Sequence, residues 1–196
     1  PIPLFPGSSS EPGPPINTTT PTFQWIGVSG ADFYGLYISK YPYGTTNIVY
    51  QNESILGTST TFNLPSGYLF NGEKYRWNMR AHNSAGWSNY SERLYFRIDT
   101  TPPDTQIIGG PNGTIITNSA TFTYTGTDNV TSTGNLVYAT YLQGYDSGWS
   151  SFSSSTTKSY SNLSNGSYTF QVKAKDQAGN EDPTPATRSF TVAGWS

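Results

Sequence analysis

The sequence contains few of the side chains that perform catalysis. It has no cysteine and a single histidine, His82, among its 196 residues. A cysteine nucleophile, a Ser-His-Asp relay and a zinc site built on cysteine and histidine therefore all lack essential parts. The 12 aspartate and glutamate residues are scattered singly, and the spacing of Glu73 and Glu92 does not indicate the two carboxyls that a glycosidase holds across a cleft. The sequence predicts a protein that is not an enzyme.

Oxygen-bearing side chains are grouped in two predicted loops of the second half of the chain. Asp128 lies in one loop, and Asp176, Asn180 and Asp182 lie in the other. Calcium binds several oxygen ligands in flexible geometry, so one interpretation is that these loops converge on a calcium ion. Aspartate and asparagine also form turns by capping the local backbone. The sequence leaves both interpretations open, and it predicts no other cofactor.

Asn-x-Ser/Thr sequons recur along the chain, mostly in predicted loops or at strand ends, where a glycan can be accommodated. A chain rich in Asn, Ser and Thr also produces such triplets by chance. We expect glycosylation of at least one sequon if the source is an archaeon or a eukaryote. The candidate asparagines are Asn17, Asn52, Asn89, Asn112, Asn129, Asn162 and Asn165.

Aromatic side chains make up 15% of the sequence, and several lie outside the predicted core. Tyrosine and tryptophan offer a large contact area at a low entropic cost, so such residues in loops often bind a partner. Tyr41 and Tyr43 in one loop and Trp87 in another are the predicted binding residues, for sugar rings or for another chain. Packing onto neighbouring turns is the alternative for Trp87 and also for Trp149.

Charge and hydropathy exclude two classes of partner. Lysine and arginine number 10 against 12 acidic residues, for a net charge of -2. Such a chain lacks the basic field that holds a nucleic acid backbone. No apolar run approaches the roughly 18 residues of a membrane span. We therefore predict no nucleic acid partner and no insertion into a membrane.

Short alternating apolar runs separated by turn residues predict an all-β fold of the sandwich type. The longest alternation places Tyr75, Trp77, Met79 and Ala81 on one face and polar residues on the other, as expected for a strand with one wet face. Residues 1–16 hold 6 of the 14 prolines and lack periodicity, which predicts an extended segment. Such a segment becomes ordered by packing on its own domain or on a neighbouring chain.

The two halves of the chain repeat one another. Residues 71–86 align with residues 165–179 after deletion of one residue, so that Tyr75 precedes Tyr168 by 93 positions, which indicates a repeated sandwich unit. The consecutive prolines Pro102 and Pro103 cannot continue a central strand and mark a boundary. The predicted organisation is therefore an extended segment, two tandem sandwiches and a linker between them, at residues 1–16, 17–98, 99–104 and 105–196.

The first half resembles a fibronectin type III domain, in Trp25, Leu64-Pro65, Tyr75-x-Trp77-x-Met79-x-Ala81 and Asn83-x-x-Gly86. The second half resembles the Ig-like repeats of bacterial and archaeal surface or secreted proteins, in its Thr101-Pro102-Pro103-Asp104 entry and its run from Asn165 to Asn180. The first resemblance implies that the Tyr75 hydroxyl bonds back to the preceding loop. Neither resemblance specifies a function, because the fold hosts many.

These observations predict a non-catalytic extracellular protein of the cell surface with a structural or adhesive role. It would be a stalk, an adhesin segment or a filament subunit in which residues 1–15 pack on a neighbouring subunit. Its partners would be protein, including further copies of itself, and also glycans. The alternative is a carbohydrate-binding or spacer module of a secreted polysaccharide-degrading enzyme, with Trp87 and the Tyr41/Tyr43 loop as its binding residues.

Overall fold

A computed structural model describes residues 1–194 of the chain, and Trp195 and Ser196 of the predicted second domain lie outside the described residues. The chain divides into two compact units, residues 1–100 and 101–196. Within the described part the regular structure consists of strands and two three-residue 3-10 helices, Thr45–Asn47 and Thr133–Asn135. The all-β prediction is confirmed. None of the helices in residues 1–194 has the length and apolar character needed to cross a bilayer.

The first unit is a sandwich of two sheets. The strands are β1 (Ile2–Phe5), β2 (Pro15–Ile16), β3 (Thr22–Ile26), β4 (Phe33–Lys40), β5 (Ile48–Leu56), β6 (Thr61–Asn63), β7 (Lys74–Asn83), β8 (Gly86–Trp87) and β9 (Leu94–Ile98). Its three-stranded sheet has the order β1-β3-β6, and its larger sheet has the order β2-β9-β7-β4-β5, with β8 paired to β7.

The core of this sandwich is built from the predicted alternation. The side chains of Tyr75, Trp77 and Met79 on β7 are almost fully buried, and they meet Phe23 and Trp25 from β3. Aromatic rings fill much of the interior, with Phe23 edge-on to Trp77 at 4.8 Å between ring centroids. Because successive strand residues point to opposite faces, the even-numbered residues of β7 must face outward.

The N-terminal segment belongs to the first sandwich. β1 pairs antiparallel with β3, and β2 pairs parallel with β9. Between these strands the indole Nε1 of Trp77 donates to the carbonyl of Pro6 at 2.7 Å. Gly13 has a φ of +75°, and a Cβ there would overlap the carbonyl of Tyr95, so only glycine permits this approach. The extended segment expected from the proline content is thus two strands and a connection on its own domain.

The second unit repeats this plan with fewer strands. The strands are β10 (Asp104–Gly109), β11 (Gly113–Ile115), β12 (Ala120–Thr127), β13 (Val137–Gln143), β14 (Thr157–Tyr160), β15 (Gly166–Lys175) and β16 (Ala186–Val192). Its sheets have the orders β10-β12-β14 and β11-β16-β15-β13. In its core Phe122 stacks on Phe170 at 4.0 Å between ring centroids.

Both sandwiches contain the tyrosine corner that the fibronectin resemblance implies for Tyr75. The Phe70 amide donates to the Tyr75 hydroxyl at 3.0 Å. In the second sandwich the Tyr168 hydroxyl donates to the Ser164 carbonyl at 2.8 Å. The sequence repeat therefore corresponds to the same strand, β7 in the first unit and β15 in the second, entered through the same kind of corner.

Candidate functional site

The outward face of β7 carries a row of basic and polar side chains. Lys74, Arg76, Asn78 and Arg80 alternate with the buried core residues of the same strand. Arg76, Asn78 and Arg80 lie opposite Ser39, Tyr37 and Gly35 of the antiparallel strand β4, while Lys74 pairs with Arg97 of β9. The row therefore lies across the middle of the larger sheet, where neighbouring loops can cover it.

Aromatic rings cover most of these cations. Cation–π contacts of this kind are strongest where the cation is partly desolvated. The Tyr41 ring centroid lies 5.3 Å from Lys74 Nζ, and the Tyr43 ring centroid lies 4.7 Å from Arg76 Cζ. Three rings surround Arg80: the centroids of Trp87, Tyr90 and Tyr37 lie 4.4, 5.1 and 5.5 Å from its Cζ. The predicted binding residues are therefore partners of the β7 row.

Arg80 is held by a polar network as well as by rings. Its Nε donates to the Tyr37 hydroxyl at 2.7 Å and its Nη2 donates to Glu53 Oε1 at 2.6 Å. The Tyr37 hydroxyl also donates to that carboxylate. The hydrogen bond from Tyr37 and that from Arg80 lower the pKa of Glu53. Burial, together with the Glu53 carboxylate, raises the pKa of Tyr37.

The segment Trp87–Ser91 closes the edge of β7 beside Arg80. β9 pairs with β7 only from Lys74 to Trp77, so the rest of that edge needs other partners. The Ser88 and Ser91 amides donate to the carbonyls of Ala81 and Met79. In return, the amides of Ala81 and Met79 donate to the hydroxyls of Ser88 and Ser91 at 3.0 and 2.9 Å. Two serines thus replace a missing strand. We call Trp87–Ser91 the first clasp.

The second sandwich has an equivalent, Trp149–Ser153, which we call the second clasp. It lies along β13, where the Thr140 amide donates to the Ser150 hydroxyl at 2.9 Å and Ser153 pairs with Tyr138. Its two rings lie near Lys173, whose Nζ is 5.0 Å from the Trp149 centroid and 5.6 Å from that of Phe152.

Both clasps follow the pattern Trp-Ser-x-aromatic-Ser, at residues 87–91 and 149–153. The sequence-based prediction treats the two tryptophans as isolated residues and does not include the shared pattern. The signal was present, because the two serines stand three residues apart in each copy. Trp87 and Trp149 are each a little more than one third exposed, so each packs on the chain with one face and meets solvent with the other.

A groove of about 280 Å³ lies next to the first clasp. Tyr37 and Ser39 of β4 and Arg76 and Asn78 of β7 form its floor, as expected for outward residues of two paired strands. One rim is the 44–48 loop, which follows the predicted binding residues Tyr41 and Tyr43. The other rim holds Tyr90 and Arg93, which follow Trp87.

The predicted binding residues differ in their access to solvent. Tyr41 is 53% exposed, whereas Tyr43 is only 9% exposed. Tyr43 packs edge-on against Tyr95 at 5.5 Å between centroids. Burial and the Glu11 carboxylate raise the pKa of Tyr43 to about 12. Tyr43 therefore supports the loop and Arg76, while Tyr41 and Tyr90 keep rings that a ligand can reach.

The residues predicted to bind calcium all lie in loops of the second sandwich; the three aspartates accept hydrogen bonds there, and the Asn180 side-chain amide donates one to Asp176. Asp182 accepts from the Thr105 amide at 2.9 Å and from the Thr184 amide at 2.8 Å. Asp176 accepts from the backbone and side-chain amides of Asn180, each at 2.8 Å. These contacts fit turn formation. Calcium stays a prediction.

Asp128 and Asp176 are the two of these residues whose carboxylate oxygens come close, within 4.8 Å. Asp128 Oδ2 accepts from the amides of Val130 and Thr131 at 2.9 and 2.7 Å, while its Oδ1 has no hydrogen-bond partner. Among the residues predicted to bind calcium, Asp128 is the one with a carboxylate oxygen left open for a cation, because both oxygens of Asp176 and of Asp182 accept hydrogen bonds.

Six of the predicted glycosylation sites are exposed, and Asn52 is half-buried. Asn52 lies on β5, where its side-chain oxygen accepts from the Ser54 amide at 2.9 Å. The Asn165 side-chain oxygen accepts from the Gly194 amide at 2.8 Å. Glycosylation stays a prediction, and we expect Asn52 to be the poorest acceptor because its amide is held on a strand.

Two of the residues considered for catalysis, Glu73 and His82, have local partners. Glu73 forms an ion pair with Lys40 at 2.9 Å. His82 lies edge-on to Trp87, with 5.0 Å between ring centroids, and its Nδ1 is 4.0 Å from a carboxylate oxygen of Asp32. These contacts hold strands and loops together.

Solved structures of fibronectin(III)-like modules are similar to this architecture. The fibronectin(III)-like modules of Clostridium thermocellum CbhA align with a TM-score of 0.54 at 12% sequence identity, over 92% of this chain and 88% of that chain. The fold is fibronectin type III-like. The FN1–FN3 domains of chicken CNTN1 align at 15% identity over 97% of this chain and 68% of that chain, with a TM-score of 0.49. No curated protein matches the sequence.

The family model described as the Y_Y_Y domain matches residues 129–193. This stretch runs from the loop before β13 to the end of β16 and so covers the second clasp. The resemblances drawn from the sequence are confirmed, with a fibronectin type III-like first sandwich and an Ig-like second one. At this sequence identity the fibronectin type III-like match establishes the fold and leaves function to the sites described above.

Proposed function

We propose that this chain is a non-catalytic structural module of an extracellular or cell-surface protein, a pair of sandwiches used as a stalk or adhesive segment. The observation that carries the proposal is the repeated clasp. In each sandwich it covers a strand edge that would otherwise offer unpaired amides to other chains. Aromatic and serine side chains that cover strand edges suit a module that must stay folded outside the cell.

The state of the carboxylates supports a non-catalytic role. Glu53 is tied to Arg80 and Tyr37, and Asp182 is 3% exposed with both oxygens engaged. General acid–base catalysis needs a carboxyl group that can reach a substrate proton. These carboxylates instead fix strands and turns.

The position of the N-terminal residues bears on the filament version of this role. Packing of residues 1–15 on a neighbouring subunit would require β1 to leave β3 and the Trp77 indole to lose its bond to Pro6. The cost of both changes disfavours assembly by this route. We therefore propose a stalk or adhesive segment whose N-terminal strands stay on their own sandwich.

Antibodies raised against the purified chain test the extracellular assignment on cells of the source organism. We expect labelling of intact cells or of the culture supernatant at the level seen after permeabilisation. Labelling that needs permeabilisation would contradict the proposal. In a second experiment, both sandwiches of this chain are replaced by an unrelated pair of sandwiches in the surface protein that carries them. A structural role predicts that display of the protein is retained.

A further inference from the structure

The groove beside the first clasp is lined by two arginines and by no carboxylate. Arg76 and Arg93 contribute its charge. Neither forms an ion pair within the part of the chain that the structure describes, whereas Arg80 and Lys40 of the same sandwich are paired with Glu53 and Glu73. In a chain of net charge -2, two unpaired guanidinium groups in one groove are a local excess of positive charge.

The two guanidinium groups are presented differently. Arg76 is half-buried and lies over the Tyr43 ring, so its stem is fixed and the edge of its planar group stays open for hydrogen bonds. Arg93 is exposed at the opposite rim. Glu92, its neighbour in sequence, does not line the groove. An anion entering the groove would therefore meet one arginine that is held against a ring and one that is exposed to solvent.

Aromatic and polar groups complete the lining. Tyr90 is 54% exposed and lies edge-on to Tyr37 with 5.3 Å between ring centroids. Exposed tyrosine rings can stack on the apolar face of a sugar. Asn78 and Ser39 supply donors and acceptors for hydroxyl groups. The volume of about 280 Å³ lies near the lower end of the ligand-pocket range, roughly 300 Å³, which suits one or two sugar rings.

We propose that this groove binds a carboxylated sugar, a uronic acid unit within an extracellular polysaccharide. Arginine recognises a carboxylate through parallel N–H bonds, and Arg76 and Arg93 supply that function. Tyr90 stacks on the ring, and Asn78 and Ser39 read the hydroxyl groups. The inference goes beyond the structural role proposed above, since a stalk can perform that role with the groove empty.

Affinity electrophoresis of the full chain through gels containing polygalacturonate, alginate or hyaluronate tests this inference. We expect retardation by at least one of these polymers. Arg93→Gln should weaken binding roughly ten- to a hundredfold, the loss expected for a charge-assisted hydrogen-bonded contact. Tyr90→Ala should also weaken binding. Arg93→Lys should restore part of it, because the charge returns without the planar fork.

The control variant is Lys158→Gln, which removes the same charge from the second sandwich, where Lys158 lies over the Tyr160 ring and forms no ion pair within residues 1–194. The control polymer is the carboxyl-reduced form of the one that binds. Dextran sulfate reports attraction to any polyanion. Lack of retardation by all three uronic polymers would overturn the inference. Three other results would overturn it as well. They are binding to the carboxyl-reduced polymer as tight as to the uronic polymer, a loss of binding in Lys158→Gln equal to that in Arg93→Gln, and binding to dextran sulfate that is tighter than to the uronic polymer.

Discussion

The first clasp makes a quantitative prediction for Ser91→Ala. The Met79 amide donates to the Ser91 hydroxyl at 2.9 Å, and that hydroxyl donates in turn to the Glu92 carbonyl at 2.9 Å. Met79 is fully buried on β7, and the pairing of β7 with β9 covers only Lys74 to Trp77 and does not reach Met79. Removal of the hydroxyl therefore leaves a backbone N–H without its acceptor.

The expected cost follows from the orphaned donor. A buried amide without an acceptor costs about 1–3 kcal/mol. Near the melting temperature, 1 kcal/mol shifts Tm by roughly 4–8 °C for a domain of this size. We therefore expect Ser91→Ala to lower the Tm of the first sandwich by roughly 4–24 °C. The second sandwich should melt as before, because its own clasp is unchanged.

Thermal unfolding and amide hydrogen exchange of the full chain measure this effect. Exchange at Met79 should speed up in Ser91→Ala before the rest of the first sandwich is affected, since its amide loses its partner. Ser84→Ala is the matched control, because Ser84 is an exposed serine in the turn between β7 and β8. If Ser91→Ala melts and exchanges like the control, the serine does not act as a replacement strand and the reasoning is refuted.

Three further predictions concern the corners, the Arg80 network and the calcium pair. Tyr75→Phe should destabilise its sandwich more than Tyr168→Phe destabilises the other. Tyr75→Phe leaves the Phe70 N–H without an acceptor, whereas Tyr168→Phe leaves the Ser164 carbonyl, which has a second lone pair, without one donor. Equal losses of unfolding free energy in denaturant would contradict this. Glu53 has a lowered pKa in the folded state, so its stabilising effect is present above its unfolded pKa and is lost as the pH falls through the folded value. The Tm difference between wild type and Glu53→Gln should therefore shrink on acidification, and a difference constant with pH would be evidence against the network. If calcium binds, it should raise the Tm of wild type but not of Asp128→Asn, and no rise in wild type would leave turn capping as the explanation.

Much of the fold followed from period-2 alternation. Every buried residue predicted on β7 faces the core, because alternation is a direct consequence of strand geometry. Strands β1 and β2 were not predicted, since prolines interrupt their pattern and their pairing with β3 and β9 depends on residues far along the chain. Such pairing is set by tertiary contacts that no local period records.

The candidate site was predicted only in part. The exposed aromatics Tyr41 and Trp87 were identified as candidates, because large rings outside an alternating pattern are visible in sequence. Their cations were not linked to them. The contact of Trp87 with Arg80 depends on how the chain turns back between β7 and β8. A local sequence pattern does not record which outward strand residue the returning chain will cover. The buried position of Tyr43 has the same origin, since Tyr95 and Arg76 surround it from distant parts of the chain.

The Trp-Ser-x-aromatic-Ser pattern of the two clasps is explained by local chemistry more than by an equivalent position in the two sandwiches. The first follows β7 and pairs back onto it, while the second follows β13 and pairs back onto that strand. These strands occupy different places in their sheets. What they share is an edge without a neighbouring strand and a cation nearby, Arg80 or Lys173. In the first clasp both serine hydroxyls accept from edge amides. In the second clasp the Ser150 hydroxyl does so, and Ser153 pairs with Tyr138 through its backbone. The two rings lie near the cation in both, so one short pattern closes an edge and covers a cation in either setting.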